Sequence, residues 1–169
     1  MKPAAAVALI EAPHAEPAVL LIRRSKRPGD PWAGHWAFPG GRRDPGDRDC
    51  LATALRELHE ECGIELPRSA CSEAFKPVFA GRHVGHPLLV APFHFCLDAQ
   101  PEATPCPREV AASLWCPLSQ LRQYHDHERG PVNPHRPDQD YPYLPLDGHP
   151  LWGFTYGVLA RWLGLAPPT

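Results

Sequence analysis

The run Arg56-Glu57-Leu58-His59-Glu60-Glu61-Cys62-Gly63-Ile64 packs three carboxylates into five residues, with Arg56 the one adjacent base. It ends at Gly63, a residue suited to follow a helix C-terminus. That end carries the negative pole of the helix dipole, where acids are disfavoured. An acidic run in so unfavourable a place calls for a cation from outside the chain. Oxygen ligands select a hard divalent metal, so Glu57, Glu60 and Glu61 are candidate ligands for Mg²⁺ or Mn²⁺.

The acids need a helix to carry them. The apolar positions Leu51, Ala54, Leu55, Leu58 and Cys62 have the spacing of one buried stripe and predict a helix over Cys50–Cys62. At about 100° per residue, Glu60, Glu57 and Glu61 span an arc of roughly 100° beside that stripe. Asp47 or Asp49 can cap its start. Arg56 and Glu60 are one turn apart, which suits Arg56 to orienting an acid. Upstream, Ala4–Glu11 and Ala18–Arg24 read as strands, Gly34–Phe38 as a short extended piece and Gly40–Asp49 as a loop. Downstream, Pro77–Arg82, Leu88–Asp98 and Val110–Trp115 read as strands, and Leu118–Tyr124 as a short helix. His125–Pro150 is expected to be a long, stiff loop, rich in the chain's 23 prolines, and Leu151–Leu165 a closing helix. Strands mixed with a few helices imply an α/β sandwich.

At 169 residues, with no internal repeat or linker, residues 1–169 are expected to form one domain. The formal net charge of −2 gives no reason to expect a nucleic-acid surface. The bases are bunched at Arg23, Arg24, Lys26 and Arg27 and at Arg42 and Arg43, which suits a compact phosphate ligand. The six cysteines make no CxxC pair and no structural zinc spacing, and Cys62, Cys96 and Cys116 are expected as buried thiols. The first residues lack a secretory pattern and Leu88–Leu97 is too short to span a bilayer, so a cytoplasmic setting without membrane association is expected. His125, His127, His135 and His149 lie in proline-rich sequence with a spacing that argues against zinc. Trp32 and Trp36 are candidates to stack on a base, with structural packing as the equal alternative. Tyr141 and Tyr143 could line a substrate lid, with burial to hold the long loop as the stronger alternative.

Residues 56–64 match REUxEExGU, the second half of the Nudix box, where U is a bulky apolar residue, and Gly41 matches its opening glycine. The chain therefore resembles the Nudix hydrolases, which implies an α/β/α sandwich with a mixed β-sheet. Two departures stand out. Asp47 replaces the usual glutamate of the box, and the gap from it to Arg56 is one residue longer. A narrower resemblance is to the coenzyme A pyrophosphatase branch. Leu20-Leu21-Ile22-Arg23-Arg24-Ser25 resembles its LLTxRS pattern without the threonine. Gly34-His35-Trp36-Ala37-Phe38-Pro39-Gly40-Gly41 matches GxxxFPGG, and Leu151-Trp152-Gly153-Phe154-Thr155 resembles its C-terminal segment. Asp30 stands where that branch has a basic residue, with Arg27 three residues early.

The resemblance implies hydrolysis of a nucleoside diphosphate linked to another group. Coenzyme A or acyl-coenzyme A is the first expectation. Another Nudix substrate (ADP-ribose, a dinucleotide or a nucleoside triphosphate) is the second, and a non-catalytic nucleotide-binding module the third. Glu57, Glu60 and Glu61, with the Gly41 carbonyl, would hold Mg²⁺ or Mn²⁺. Glu57 is one candidate for the general base. Glu109 is the other, because related enzymes place an acid in the loop before such a strand. Arg24 and Arg27 are candidates for substrate phosphates, and Arg56 for positioning Glu57 or Glu60. A homodimer is compatible with this reading.

Overall fold

The computed structural model describes residues 1–29, 33–82, 85–166 and 168. Asp30 and Trp32, both weighed above, lie outside the described residues. Eleven strands form one mixed sheet. They are β1 (Ala5–Ala12), β2 (Ala18–Arg24), β3 (Trp36–Ala37), β4 (Gly40–Arg42), β5 (Glu73–Ala74), β6 (Val78–Ala80), β7 (Leu88–Cys96), β8 (Val110–Pro117), β9 (Glu128–Gly130), β10 (Tyr141–Leu146) and β11 (His149–Trp152). The helices are α1 (Cys50–Cys62), α2 (Leu118–Leu121) and α3 (Gly153–Leu163). The main path through the sheet runs β5-β7-β1-β2-β3-β11-β10-β9, with β4 on β1, β6 on β7 and β8 on β2. β1 runs parallel to β7 and antiparallel to β2.

Strands β1 and β2 are apolar almost without interruption because both of their faces are covered. Ala6, Ala8, Ile10, Leu20 and Ile22 face α1, where they pack with Ala54, Leu58 and Cys62. Leu9, Val19 and Leu21 belong to the opposite core with Val158 and Leu159 of α3. The sheet is thus sandwiched between α1 and α3, the layered α/β arrangement expected from the sequence.

Helix α1 begins and ends where its sequence predicts. Asp49 caps it, its Oδ1 accepting the Ala52 N–H at 2.9 Å. Gly63 closes it at φ 65°, donating its N–H to the His59 carbonyl at 2.8 Å. The carbonyls left over at this end find partners in the segment before β8. The Thr104 N–H donates to Cys62 and the Cys106 N–H to Glu61, at 2.7 and 2.9 Å.

Several expectations need correction. The stretch expected as a loop over 125–150 contains strands β9, β10 and part of β11. Hairpin β10–β11 joins the main sheet where Leu151 pairs with Trp36. Its prolines conceal it in the sequence, yet Pro145 faces Pro150, where neither residue has an N–H to donate. The closing helix begins at Gly153 because Leu151 and Trp152 end the hairpin. Gly40–Arg42, expected within a loop, pairs with Ala5–Val7 of β1. The short helix stops at Leu121, and a separate turn spans Tyr124–Asp126. Cys62 and Cys116 are buried, and burial pushes both thiols up to about 12. Cys96 is exposed, because it sits at the end of β7 one residue beyond the inward-facing Phe95.

Candidate active site

The two glycines that end the Phe38-Pro39-Gly40-Gly41 segment set how closely α1 approaches the sheet. A Cβ on Gly40 would overlap the Ala6 carbonyl oxygen and come within 2.7 Å of the Val7 Cα. A Cβ on Gly41 would occupy the space of the Glu57 carboxylate. The bare backbone therefore makes a cradle for the acids of α1.

The three glutamates of the run have three different environments. Glu61 is buried at 4% exposure, and its Oε1 accepts the Gly40 N–H at 2.7 Å. Burial pushes its carboxyl up to about 8; the Gly40 bond opposes this, and the nearby Glu57 charge adds to it. Glu57 is mostly covered, and burial raises its carboxyl too, against the pull of Arg56. Glu60 is half exposed and meets Arg56 Nη1 at 3.1 Å. One apolar stripe does not distinguish these positions. The Gly40 backbone does, because it draws Glu61 inward and away from solvent.

Arg56 is the organising cation. Its Nη1 also donates to Glu57 Oε1 at 3.1 Å, and its Nη2 to the Arg42 carbonyl at 3.1 Å. The remaining edge of the guanidinium grips Asp47. Asp47 is itself nearly buried and accepts from Thr53 Oγ1 and the Asp44 N–H, both at 2.9 Å. These bonds, led by Arg56, hold its carboxyl far below the usual carboxylate range. The Asp47 N–H closes a turn on the Asp44 carbonyl at 3.0 Å, so the longer gap before Arg56 still leads Asp47 back to the arginine. Arg56 thus bonds both Glu57 and Glu60 while anchored to Asp47.

Glu109, from a distant part of the chain, lies close enough for its charge to act on these acids. It precedes β8, and its carbonyl accepts the Ser25 N–H at 3.0 Å just beyond the end of β2. A register shift between Arg23 and Arg24 turns this corner. The Glu109 charge acts on both Glu57 and Glu61, raising each further. Arg24 lies near enough to oppose that rise at Glu61. Arg27, the second candidate for phosphates, is tied to this corner. Its Nη2 donates to the Arg108 carbonyl at 2.9 Å and stands 3.6 Å from Glu109 Oε1. The structure therefore brings Glu109 and Arg24 within electrostatic reach of Glu57 or Glu61, and it holds Arg27 against the Arg108 carbonyl beside Glu109.

The donor set fits a hard divalent cation. Buried carboxylates with raised pKa values and mutual repulsion are what such an ion would relieve. Among the described residues, no three His, Cys, Asp or Glu side chains are gathered closely enough to hold one metal ion by themselves. A backbone oxygen such as that of Gly41 is then a natural further ligand, as is water.

Three aromatic expectations resolve differently. Trp36 is buried in the core, with its Nε1 donating to the Leu146 carbonyl at 2.8 Å, so it packs and does not offer a stacking face. Tyr141 and Tyr143 lie in β10, where the Tyr143 hydroxyl bonds Glu128 and the Tyr141 hydroxyl bonds Gln139 at 2.8 Å. Both are sheet residues whose hydroxyls are engaged within the hairpin region. What the sequence reading missed is the Gly40 N–H as partner of Glu61, and Thr53 as partner of Asp47. The adjacent glycines were a usable signal for the first; a threonine inside a helix gave none for the second.

The chain is similar to known proteins in sequence and fold. The NUDIX domain family profile matches residues 1–135. The chain is 46% identical over 153 residues to the uncharacterized Nudix hydrolase NudL of Yersinia enterocolitica, covering 86% of this chain and 72% of that protein. It is 40% identical over 80 residues to the mitochondrial coenzyme A diphosphatase NUDT8 of Mus musculus, covering 46% of this chain and 38% of that protein. The chain spans only about a third of the first curated relatives it matches, between 33% and 38% of their length. Among solved structures, an Ap4A hydrolase of C. elegans is 26% identical with a TM-score of 0.53, over 68% of this chain and 80% of that one. The NUDIX domain of Shewanella oneidensis NrtR, complexed with ADP ribose, shares the fold at 23% identity and a TM-score of 0.58, over 73% of this chain and 77% of that one. With its acidic helix seated on a two-glycine cradle and the family profile matched over most of its length, the chain belongs to the Nudix family.

Proposed function

We propose that the protein hydrolyses the diphosphate bond of coenzyme A or acyl-coenzyme A, giving 4′-phosphopantetheine or its acyl form and adenosine 3′,5′-bisphosphate. The observation that supports hydrolysis is Glu61 buried against the Gly40 N–H beside Glu57, with the Glu109 charge acting on both carboxyls. Mg²⁺ or Mn²⁺ held by Glu57, Glu60, Glu61 and the Gly41 carbonyl would supply Lewis acidity at the diphosphate. The chain's own residues supply the rest. Arg56 fixes the Glu57 and Glu60 carboxylates, Glu57 or Glu109 accepts the proton of the attacking water, and Arg24 meets substrate phosphate.

Support for coenzyme A comes from the relatives. NUDT8 of Mus musculus and the peroxisomal coenzyme A diphosphatase NUDT7 of Mus musculus, 37% identical over 100 residues, both carry that activity in their names. A second reading takes ADP-ribose or a dinucleotide as substrate; Ile22 in place of the branch threonine favours it. The test is a panel of coenzyme A, acetyl-coenzyme A, ADP-ribose, diadenosine tetraphosphate and nucleoside triphosphates, with Mg²⁺ or Mn²⁺. Coenzyme A turnover is expected to exceed the others in kcat/KM. Turnover of ADP-ribose or the dinucleotide with coenzyme A untouched would overturn the first reading. No turnover of any member would leave a nucleotide-binding module.

A further inference from the structure

On the face of the sheet opposite α1, a cleft of about 170 Å³ opens between the last turns of α3 and the strands β5–β7. Phe75, Lys76, Val78, Pro92, Val158, Arg161 and Trp162 line it. Its volume is close to that of an engineered cavity that admits one benzene ring, about 150 Å³. Two aromatic side chains, Phe75 and Trp162, form its walls, and both rings are in contact with the same residue. The His94 ring stacks on Phe75 at 5.8 Å and 20°, and meets Trp162 at 5.1 Å. His94 is in turn pinned, its Nε2 lying 2.8 Å from Glu11 Oε2. The walls are therefore fixed before anything enters, so little ordering is required on binding.

The rim supplies the second element. Lys76 and Arg161 stand on different parts of the chain, and both reach this cleft. Among the described residues, neither side chain has a hydrogen bond or an ion pair. In a chain with a net charge of −2, two such cations beside an apolar slot form a local positive spot. Arg161 also lies in the last turn of α3, where a cation is favoured by the helix dipole. That effect does not account for Lys76, which enters from the segment between β5 and β6.

We propose that this cleft is a second small-molecule site, for one planar ring that bears an anionic group. The ring would fill the slot between Phe75 and Trp162, and the anion would meet Lys76 and Arg161. A nucleoside monophosphate and an aromatic carboxylate share this chemistry. The site is separate from the acids of α1, since the sheet lies between them.

The proposal is tested on the full chain, ¹⁵N-labelled, by following the Trp162 indole N–H resonance, assigned with Trp162→Phe. Four probes are titrated: AMP, benzoate, and their uncharged counterparts adenosine and benzyl alcohol. AMP, benzoate or both should shift the Trp162 signal saturably, with the matching neutral probe at least ~10-fold weaker. Response to AMP alone would identify a nucleotide as the ligand, and response to benzoate alone an aromatic acid. The double variant Lys76→Ala/Arg161→Ala, altered only at exposed side chains, should weaken the anion ~10-fold and leave the neutral probe unchanged. No saturable shift with any probe, equal affinity for anion and neutral counterpart, or no loss in the double variant would overturn it. So would a Trp162 signal that moves with protein concentration alone, which would mark the cleft as covered by a second copy.

Discussion

Arg56 grips Asp47 with two hydrogen bonds, Nε to Oδ1 at 3.0 Å and Nη2 to Oδ2 at 2.9 Å, across the loop that leads into α1. The fork fixes the guanidinium, whose other edge then holds Glu57 and Glu60. Asp47→Asn is expected to destabilise the protein by about 2–3 kcal/mol at neutral pH, since it leaves a partly buried arginine without its main partner. The depressed carboxyl of Asp47 sets the sign of the pH dependence. Its contribution is fully present above the ordinary carboxylate pKa of about 3.9 and is lost as pH falls towards its lower folded value. Urea unfolding between neutral and acid pH should show a steeper loss for the wild type than for the variant.

Adjacent glycines should fail in different ways. At Gly40 the added Cβ meets backbone of β1, which cannot move aside. Gly40→Ala is expected to cost roughly 2–4 kcal/mol and to lower Tm. At Gly41 the obstacle is the end of the Glu57 side chain, which can swing away. Gly41→Ala should therefore keep Tm within a few degrees and lose activity ~10²-fold through the misplaced carboxylate. Thermal melts and turnover measured together separate the two; a reversed pattern would refute the cradle.

Glu61→Gln retains an oxygen for the Gly40 N–H but removes the charge. Burial has raised this carboxyl to about 8, so the folded, metal-free protein resists its ionisation. The raised pKa means that stability falls as pH rises from the unfolded value of about 4.3 towards 8. Without metal at pH 8, the variant is expected to be more stable than the wild type, by on the order of 1–3 kcal/mol. With Mn²⁺ the order should narrow or reverse, and turnover should drop at least ~10³-fold. Calorimetry with and without the metal reads the first effect, and steady-state kinetics the second.

Glu57 stands on α1 and Glu109 at the corner before β8, and the charge of Glu109 reaches Glu57. If Glu109 accepts the proton of water, Glu109→Gln should lower kcat by ~10²–10⁴-fold with little change in KM and flatten the acid limb of the pH–rate profile. Unchanged kcat would assign the proton to Glu57. Arg27→Ala, which removes a brace on the Arg108 carbonyl, should cost less than ~10-fold in kcat/KM.

The sequence by itself determined α1 from cap to cap. Asp49, the apolar stripe and Gly63 are local signals, and local hydrogen bonds answer them. The acids, Arg56, and the strands β1, β2 and β7 were legible for the same reason: periodicity and spacing are written within each segment. Hairpin β10–β11 was not, because its prolines read as loop until a partner strand shows which N–H groups are dispensable. The unequal fates of the three glutamates were equally hidden. On the helix they are neighbours in one arc; only the docked Gly40 backbone buries Glu61, and only the loop to Asp47 turns Arg56 towards Glu57 and Glu60. Tertiary structure alone brought Glu109 and Arg24 to the acids, since these contacts join segments far apart in the chain and depend on how β2 and β8 pair. Spacing along one element fixes which groups share a face, whereas desolvation and charge coupling depend on what the fold places opposite them.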